Sequence, residues 1–416
     1  MSRRFEPAGA AVGGSEAVPV GEPDEVGLSS HRLRRIATVL GEEVEAGRMP
    51  GAVVGIARRG RLVYLEAFGH RDARAGTPMT TDTLFWIASM TKPVTAVGAM
   101  VLHEQGRLAL DAPIERYLPE FADRRVGELV VDSAGSIAVR QVPARRQPTV
   151  VDLLRHTSGL VEGMLGSSPV HHLYTEAVGT GMTPYTGAEF ARRLAGLPLL
   201  HQPGEMWHYG FGPDLVGLIV ESVTGQSFGE YLREAVFSPL AMVDTGFGVR
   251  AGQQDRYARP LPTDPDTGQP QRLPDLSVAR FDSGGAGLVS TAADYLRFGQ
   301  LLLGGGQCGK VRLLGRKTVQ YMTSDQLDPG TDTAQLAVLQ PGYGFGLGMA
   351  VRRATGGGPT AGSAGDLTWA GSGGTLWWAD PAEHLGVVFM THTPSRVARR
   401  RYHPLIRTLV LQAIVD

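Results

Sequence analysis

Apolar and polar positions along this chain follow helical spacing at first, then strand alternation, then a long mixed stretch. A first helix is predicted over 29–46, with Ser29 or Ser30 as its cap. Two apolar or alternating runs, 52–57 and 62–68, flank the polar residues 58–61, which is the pattern of a β-hairpin. Residues 82–87 (DTLFWI) read as extended. Residues 91–102 (TKPVTAVGAMVL) read as a buried helix that tolerates Pro93 in its first turn. Helical patterns and long loops fill 108–340, for example 150–155, 214–223 and 291–303, with 252–276 as an extended Pro-, Asp- and Gln-rich loop. Strand character returns at 344–351, 375–379 and 385–390, and a last helix over 405–415 opens at Pro404. Strands at both ends with helices between predict an α+β molecule. Residues 26–87 and 340–416 form its α/β lobe, 88–339 a helical lobe with long loops, and 1–25 a flexible leader.

Composition narrows the function. A chain of 416 residues with 42% hydrophobic and 19% charged positions has the make-up of a globular protein and the length for two lobes or one large α/β unit. Its net charge of −1 gives no electrostatic case for nucleic acid or an anionic membrane as partner. No apolar run reaches membrane-spanning length. Glu6, Pro7, several glycines and Glu16 interrupt any signal-peptide core behind Arg3 and Arg4, so a cytoplasmic location is expected. The single cysteine, Cys308, excludes an intrachain disulfide and lies in 304–310 (GGGQCGK), read as a surface loop.

The chain holds 40 Lys+Arg, but only Lys92, Lys310 and Lys317 are lysines. Where a positive charge alone would do, it uses arginine, which does not give up its proton in a protein. Lys92 stands three residues after Ser89, in Ser89-Met90-Thr91-Lys92, one turn along the start of the predicted apolar helix. That spacing puts both side chains on one helix face, and a desolvated lysine can act as a base toward serine. The alternative is a capping serine beside a snorkelling lysine. Tyr209, on a turn-like segment before the helix at Asp214, is either a packing residue or a proton relay. The turn Gly371-Ser372-Gly373-Gly374 is either an ordinary strand connection or a source of backbone N–H groups for an oxyanion.

Six ordered landmarks carry a resemblance over about 25–415. They are Ser89-Met90-Thr91-Lys92; Asp111-Ala112-Pro113-Ile114 with Tyr117-Leu118-Pro119-Glu120-Phe121; and Leu153-Leu154-Arg155-His156-Thr157-Ser158-Gly159-Leu160. After these come Pro203-Gly204 leading to Tyr209, Ser283-Gly284-Gly285-Ala286-Gly287, and Trp369-Ala370-Gly371. In these the chain resembles the class C β-lactamase-like serine hydrolases, nearest to the family VIII carboxylesterases and the lovastatin-type acyltransferases. The resemblance implies a β-lactamase/penicillin-binding-protein-like fold, with an antiparallel sheet flanked by helices and an inserted helical lobe. It makes Ser89 the acylated nucleophile, Lys92 its base, Tyr209 the relay, and the N–H groups of Ser89 and Ser372 the oxyanion hole. The expected mechanism takes Lys92 as neutral in the apo cleft. The lactamase Tyr-x-Asn is replaced here by Tyr209-Gly210-Phe211, and Lys-Thr-Gly by Trp369-Ala370-Gly371. The cleft is therefore expected to be more apolar and less selective for anions, with Trp369, Gly371 and Phe211 binding substrate.

Two other motif matches are set aside. Gly225-Gln226-Ser227-Phe228-Gly229 follows a helix rather than a strand, so Ser227 reads as a helix cap. Residues 304–310 have Val311 where a phosphate-binding loop needs Ser or Thr. His171-His172 lacks zinc-ligand spacing, no metal or cofactor is expected, and His156 reads as a structural turn residue. The expected activity is carboxylesterase on a small-molecule ester. An acyltransferase sharing the acyl-enzyme comes second, and a β-lactamase or D-amino-acid peptidase third. The sequence leaves the oligomeric state open.

Overall fold

The computed structural model describes residues 18–131, 133, 135, 137–180, 184–328, 331 and 338–416. Helix α1 (Ser30–Glu45) starts where Ser29 accepts a hydrogen bond from the Arg32 N–H. It leads into the hairpin β1 (Gly51–Arg58) and β2 (Arg61–Asp72), extended by the short β3 (Thr77–Pro78). Strand β4 (Phe85–Trp86) feeds helix α2 (Thr91–Glu104), which is buried from Thr91 to Leu102. The hairpin β5 (Arg125–Val131) and β6 (Ile137–Pro143) comes next. Helices α3 (Val150–Leu154), α4 (Pro169–Val178), α5 (Gly187–Ala195), α6 (Gly212–Thr224) and α7 (Phe228–Leu232) follow. Strands β7 (Gly246–Phe247) and β8 (Leu288–Ser290) join β4 in a three-stranded sheet. After α8 (Ala292–Leu303) come the small hairpin β9 (Gln307–Cys308) and β10 (Val311–Arg312), then α9 (Arg316–Met322). The chain returns to the main sheet through β11 (Tyr343–Phe345), β12 (Ala350–Arg352), β13 (Leu367–Ala370), β14 (Leu376–Asp380) and β15 (Leu385–Met390), and ends in α10 (Arg396–Leu411).

The main sheet is antiparallel throughout, in the order β11-β12-β13-β14-β15-β1-β2-β3. Side chains alternate across a strand, and both faces here are apolar, so both are covered. Val54, Ile56, Trp378, Val387 and Phe389 pack with Leu33, Ile36, Tyr402 and Ile406 of α1 and α10. Val53, Ala57, Trp377 and Val388 face the other way, into the core that holds Leu296 and Phe298 of α8 and most of the helical lobe. The predicted α+β fold with an antiparallel sheet flanked by helices is the one observed.

Five expectations change. Helix α8, assigned from sequence to the helical lobe, lies against β1, β14 and β15. The run 344–351 is two strands, because Gly348 turns the chain at φ 82°. Helix α10 begins at Arg396, capped by Ser395, and passes through Pro404. Proline removes one internal hydrogen bond, but burial of Ala398, Tyr402, Ile406 and Val410 carries the helix through it. Part of the expected leader, 1–17, lies outside the described residues. The rest is held, since the Gly21 N–H bonds the Leu62 carbonyl and Pro23–Val26 form a 3-10 turn. Cys308 is half-buried in β9 rather than on a loop.

Candidate active site

Ser89 sits in a 3-10 turn, Ala88–Met90, between β4 and α2. Ala88 before it takes φ 46°, a left-handed conformation that costs a non-glycine residue energy and clusters at functional sites. The turn is pinned: the Thr91 hydroxyl donates to the Ala88 carbonyl at 2.6 Å and accepts from the Leu288 N–H at 3.1 Å. The Met90 carbonyl accepts from the Tyr295 hydroxyl at 2.7 Å. The N-cap of α2 is Met90, with no side-chain cap bond, so the Ser89 hydroxyl is not used to finish the helix.

Lys92 is 2% exposed. Its Nζ donates to Ser89 Oγ at 3.2 Å and to the Gly285 carbonyl at 2.8 Å, and lies 4.4 Å from the centre of the Tyr209 ring. The Tyr209 hydroxyl hydrogen-bonds both Lys92 and Ser89. The three residues named from sequence thus meet at one point. Tyr209 is placed by its neighbours. His156, buried at φ 58°, accepts the Gly210 N–H on Nδ1 at 3.3 Å and lies ring to ring with Tyr209 at 4.5 Å. A side chain at position 210 would run into the Leu160 carbonyl, which is why glycine follows the tyrosine. His156 is the structural residue expected.

Two carboxyls that sequence reasoning missed face this cluster. Asp214, at the start of α6, accepts the Ser283 hydroxyl at 2.5 Å and the Gly285 N–H at 3.2 Å. It thereby fixes the loop whose Gly285 carbonyl holds Lys92. Any side chain at 285 would collide with the Asp214 carboxylate, and one at 284 with the Pro213 carbonyl, so both glycines are required by close approach. Glu162 lies beyond the His156 turn, with its N–H 3.5 Å from the Tyr209 carbonyl. Burial works to lower the Lys92 pKa, but Tyr209, Glu162 and Asp214 outweigh it and the net direction is up. That direction runs against the neutral amine expected for Lys92. Burial raises the phenol of Tyr209 and the carboxyls of Glu162 and Asp214, with Lys92 pulling each of them back. The signal that could have found the carboxyls is distance in space, and their separation from Lys92 of 70 and 122 residues along the chain hides it.

The turn 371–374 packs on the backbone just before Ser89. The Thr375 hydroxyl reaches the Ile87 carbonyl at 3.4 Å, and a side chain at Gly371 would press on that carbonyl at 2.5 Å. Neither the Ser89 N–H nor the Ser372 N–H is engaged by another group among the described residues. A cavity of about 900 Å³ opens over the cluster, lined by Trp369, Phe211, Phe190, Trp86 and Ser372 among others. Trp369 and Phe211 are walls, as expected. Gly371 is not: Ala370 and Ser372 line the cavity, and Gly371 serves the packing beneath it. Trp207 and Trp377 are fully buried and do not line the cavity. The loss of Lys-Thr-Gly does not leave the cavity without cations, because Arg272, Arg396, Arg399 and Arg400 line it too.

Ser227 caps α7 by accepting the Glu230 N–H. His171 Nε2 lies 3.0 Å from His208 Nε2, and among the described residues no group of three or more candidate metal ligands forms. No helix of the described residues is long and apolar enough to cross a membrane.

Comparison with known proteins adds four relationships. Residues 36–412 match the β-lactamase family model. Protein Rv1367c of Mycobacterium tuberculosis (strain ATCC 25618 / H37Rv) is 38% identical over 369 residues, covering 85% of this chain and 88% of the relative. Esterase EstB of Burkholderia gladioli is 32% identical over 383 residues, covering 86% and 90%. The solved structure of EstCE1, titled a hydrolase with promiscuous acyltransferase activity, superposes with a TM-score of 0.76 at 28% identity, covering 91% of this chain and 98% of that one.

Proposed function

This chain belongs to the β-lactamase family, and we propose that it is a serine esterase working on small carboxylic esters through an acyl-Ser89 intermediate. One observation carries the reading: the Ser89 hydroxyl, unspent on helix capping, meets Lys92 and Tyr209 at the floor of a largely apolar cavity. The carboxyls beside Lys92 favour its charged form, and in this mechanism the reactive form holds one proton fewer, shared across the Lys92–Tyr209 pair. In that form Tyr209 and Lys92 take the Ser89 proton as Oγ attacks the ester carbonyl. The developing oxyanion accepts from the Ser89 and Ser372 N–H groups. As the tetrahedral species collapses, the pair returns the proton to the leaving alcohol. Water then loses a proton to the same pair and attacks the acyl carbon, and Ser89 leaves reprotonated.

The acyl-enzyme also admits an alcohol in place of water. EstCE1 is described as a hydrolase with promiscuous acyltransferase activity, and a cavity of about 900 Å³ has room for an acceptor beside the acyl group. Product ratios in water with added alcohol measure the balance. The first test is hydrolysis of p-nitrophenyl butyrate by native protein and by Ser89→Ala. Clear native turnover that vanishes in the variant supports the reading. Equal turnover in both removes Ser89 as nucleophile.

A further inference from the structure

Helix α10 presents arginines to the cavity at helical spacing. Positions 396, 399, 400, 403 and 407 recur every three or four residues and share one face, and all five line the space above Ser89. Arg401, off that face, pairs with Asp266 at 2.7 Å, and Arg407 pairs with Asp366 at 3.0 Å. Arg396, Arg399 and Arg400, with Arg272 of the 252–276 loop, have no acidic partner among the described residues. Arg399 is half-buried, and its Nε is shut away from water with no hydrogen-bond partner. The only carboxyls lining the cavity among those residues are Glu162 and Asp214, which face Lys92. The arginine face also adjoins the reacting centre. His403, on the same face, bonds the Gly374 carbonyl at 3.0 Å, at the end of the turn that carries Ser372.

We propose that this arginine face binds an oxyanion, carboxylate or phosphate, at the end of the substrate remote from the scissile ester. The proposal rests on the esterase reading and names its substrate class. A guanidinium is a planar fork that pairs with such groups two bonds at a time, and it stays charged when half-buried. A half-buried arginine with an orphaned Nε is costly unless something completes it. Burial, then the neighbouring Arg396, push the Arg399 pKa down, which is the cost an anion would remove.

The test uses matched esters. On the acyl side, p-nitrophenyl hexanoate is compared with the p-nitrophenyl monoester of adipic acid. On the alcohol side, 4-nitrophenyl butyrate is compared with 3-carboxy-4-nitrophenyl butyrate. Native enzyme is expected to favour the anionic member of one pair by about 10-fold or more in kcat/KM. The preference should fade between about 0.05 and 0.5 M salt, because part of the face is exposed. Arg396→Gln and Arg399→Gln, singly and together, should lower kcat/KM for the anionic member more than for the neutral one. Adipate and hexyl phosphate as inhibitors of neutral-ester hydrolysis separate carboxylate from phosphate. Binding of methyl hexanoate and monomethyl adipate to Ser89→Ala protein reads the same preference without chemistry, so it stands or falls even if no ester is turned over. Neutral members preferred in both pairs, or no binding preference in Ser89→Ala, overturns the proposal. Loss of all turnover with the binding preference intact would instead count against the esterase reading.

Discussion

Ser89 and Ser227 both open a helix and both sit in a motif that matches a nucleophile, yet the fold uses them in opposite ways. Ser227 Oγ accepts the Glu230 N–H at 3.3 Å and donates to the Glu230 carboxylate at 2.9 Å. Its oxygen is consumed by the capping box of α7 and stands exposed at the surface. Ser89 is one residue too early to cap α2, and Met90 takes the cap position without a side-chain bond. The Ser89 oxygen is left to Lys92 and Tyr209. A helix-terminal serine is thus either a cap or a nucleophile, because each role needs the same lone pairs.

The largest effect that could break this contrast is on activity. Ser89→Ala should lower kcat for a neutral ester by at least about 10⁴-fold, whereas Ser227→Ala leaves it unchanged. The reverse pattern would make Ser227 the nucleophile. Tyr209→Phe comes next, with kcat down by about 10²- to 10⁴-fold for loss of a proton relay. Retained activity would remove Tyr209 from the relay and leave Lys92 alone with Ser89.

Asp214→Asn sharpens the account of Lys92. Removing a negative charge beside an ammonium lowers its pKa, so the acid limb of kcat/KM against pH should move to lower pH. A packing role alone would lower the rate without moving the limb. The smallest effect is on stability. Ser227→Ala should cost about 1 kcal/mol in unfolding free energy through the lost cap. Ser89→Ala should cost nothing comparable, since its hydroxyl holds no backbone group. Denaturant midpoints of the two variants read the difference directly.

Some of this was legible in the sequence for particular reasons. Lys92 stood out because the chain otherwise prefers arginine, and its spacing from Ser89 is local. Helix α1 and the hairpin of β1 and β2 followed from caps and alternation that depend on neighbours only. Asp214 and Glu162 were not legible as partners of Lys92, since nothing near position 92 hints at them. The arginine face was missed for a different reason. Pro404 looked like a helix start, so 396–403 was not read at helical spacing and its cations were not seen to share a side. Ser372 came only from the family resemblance. A glycine-rich turn does not reveal which of its amides goes unbonded.

The pairing of β1 with β15 has a consequence for the order in which the molecule comes into being. Val53 lies opposite Met390, 337 positions further along the chain. During synthesis the Ser89–Lys92 helix emerges early, but the strand that completes its supporting sheet, and the turn that carries Ser372, emerge near the end. Contacts so distant in sequence form late and slowly. A growing chain therefore displays Ser89 long before the turn that carries Ser372, and on the proposed mechanism catalysis is among the last properties it acquires.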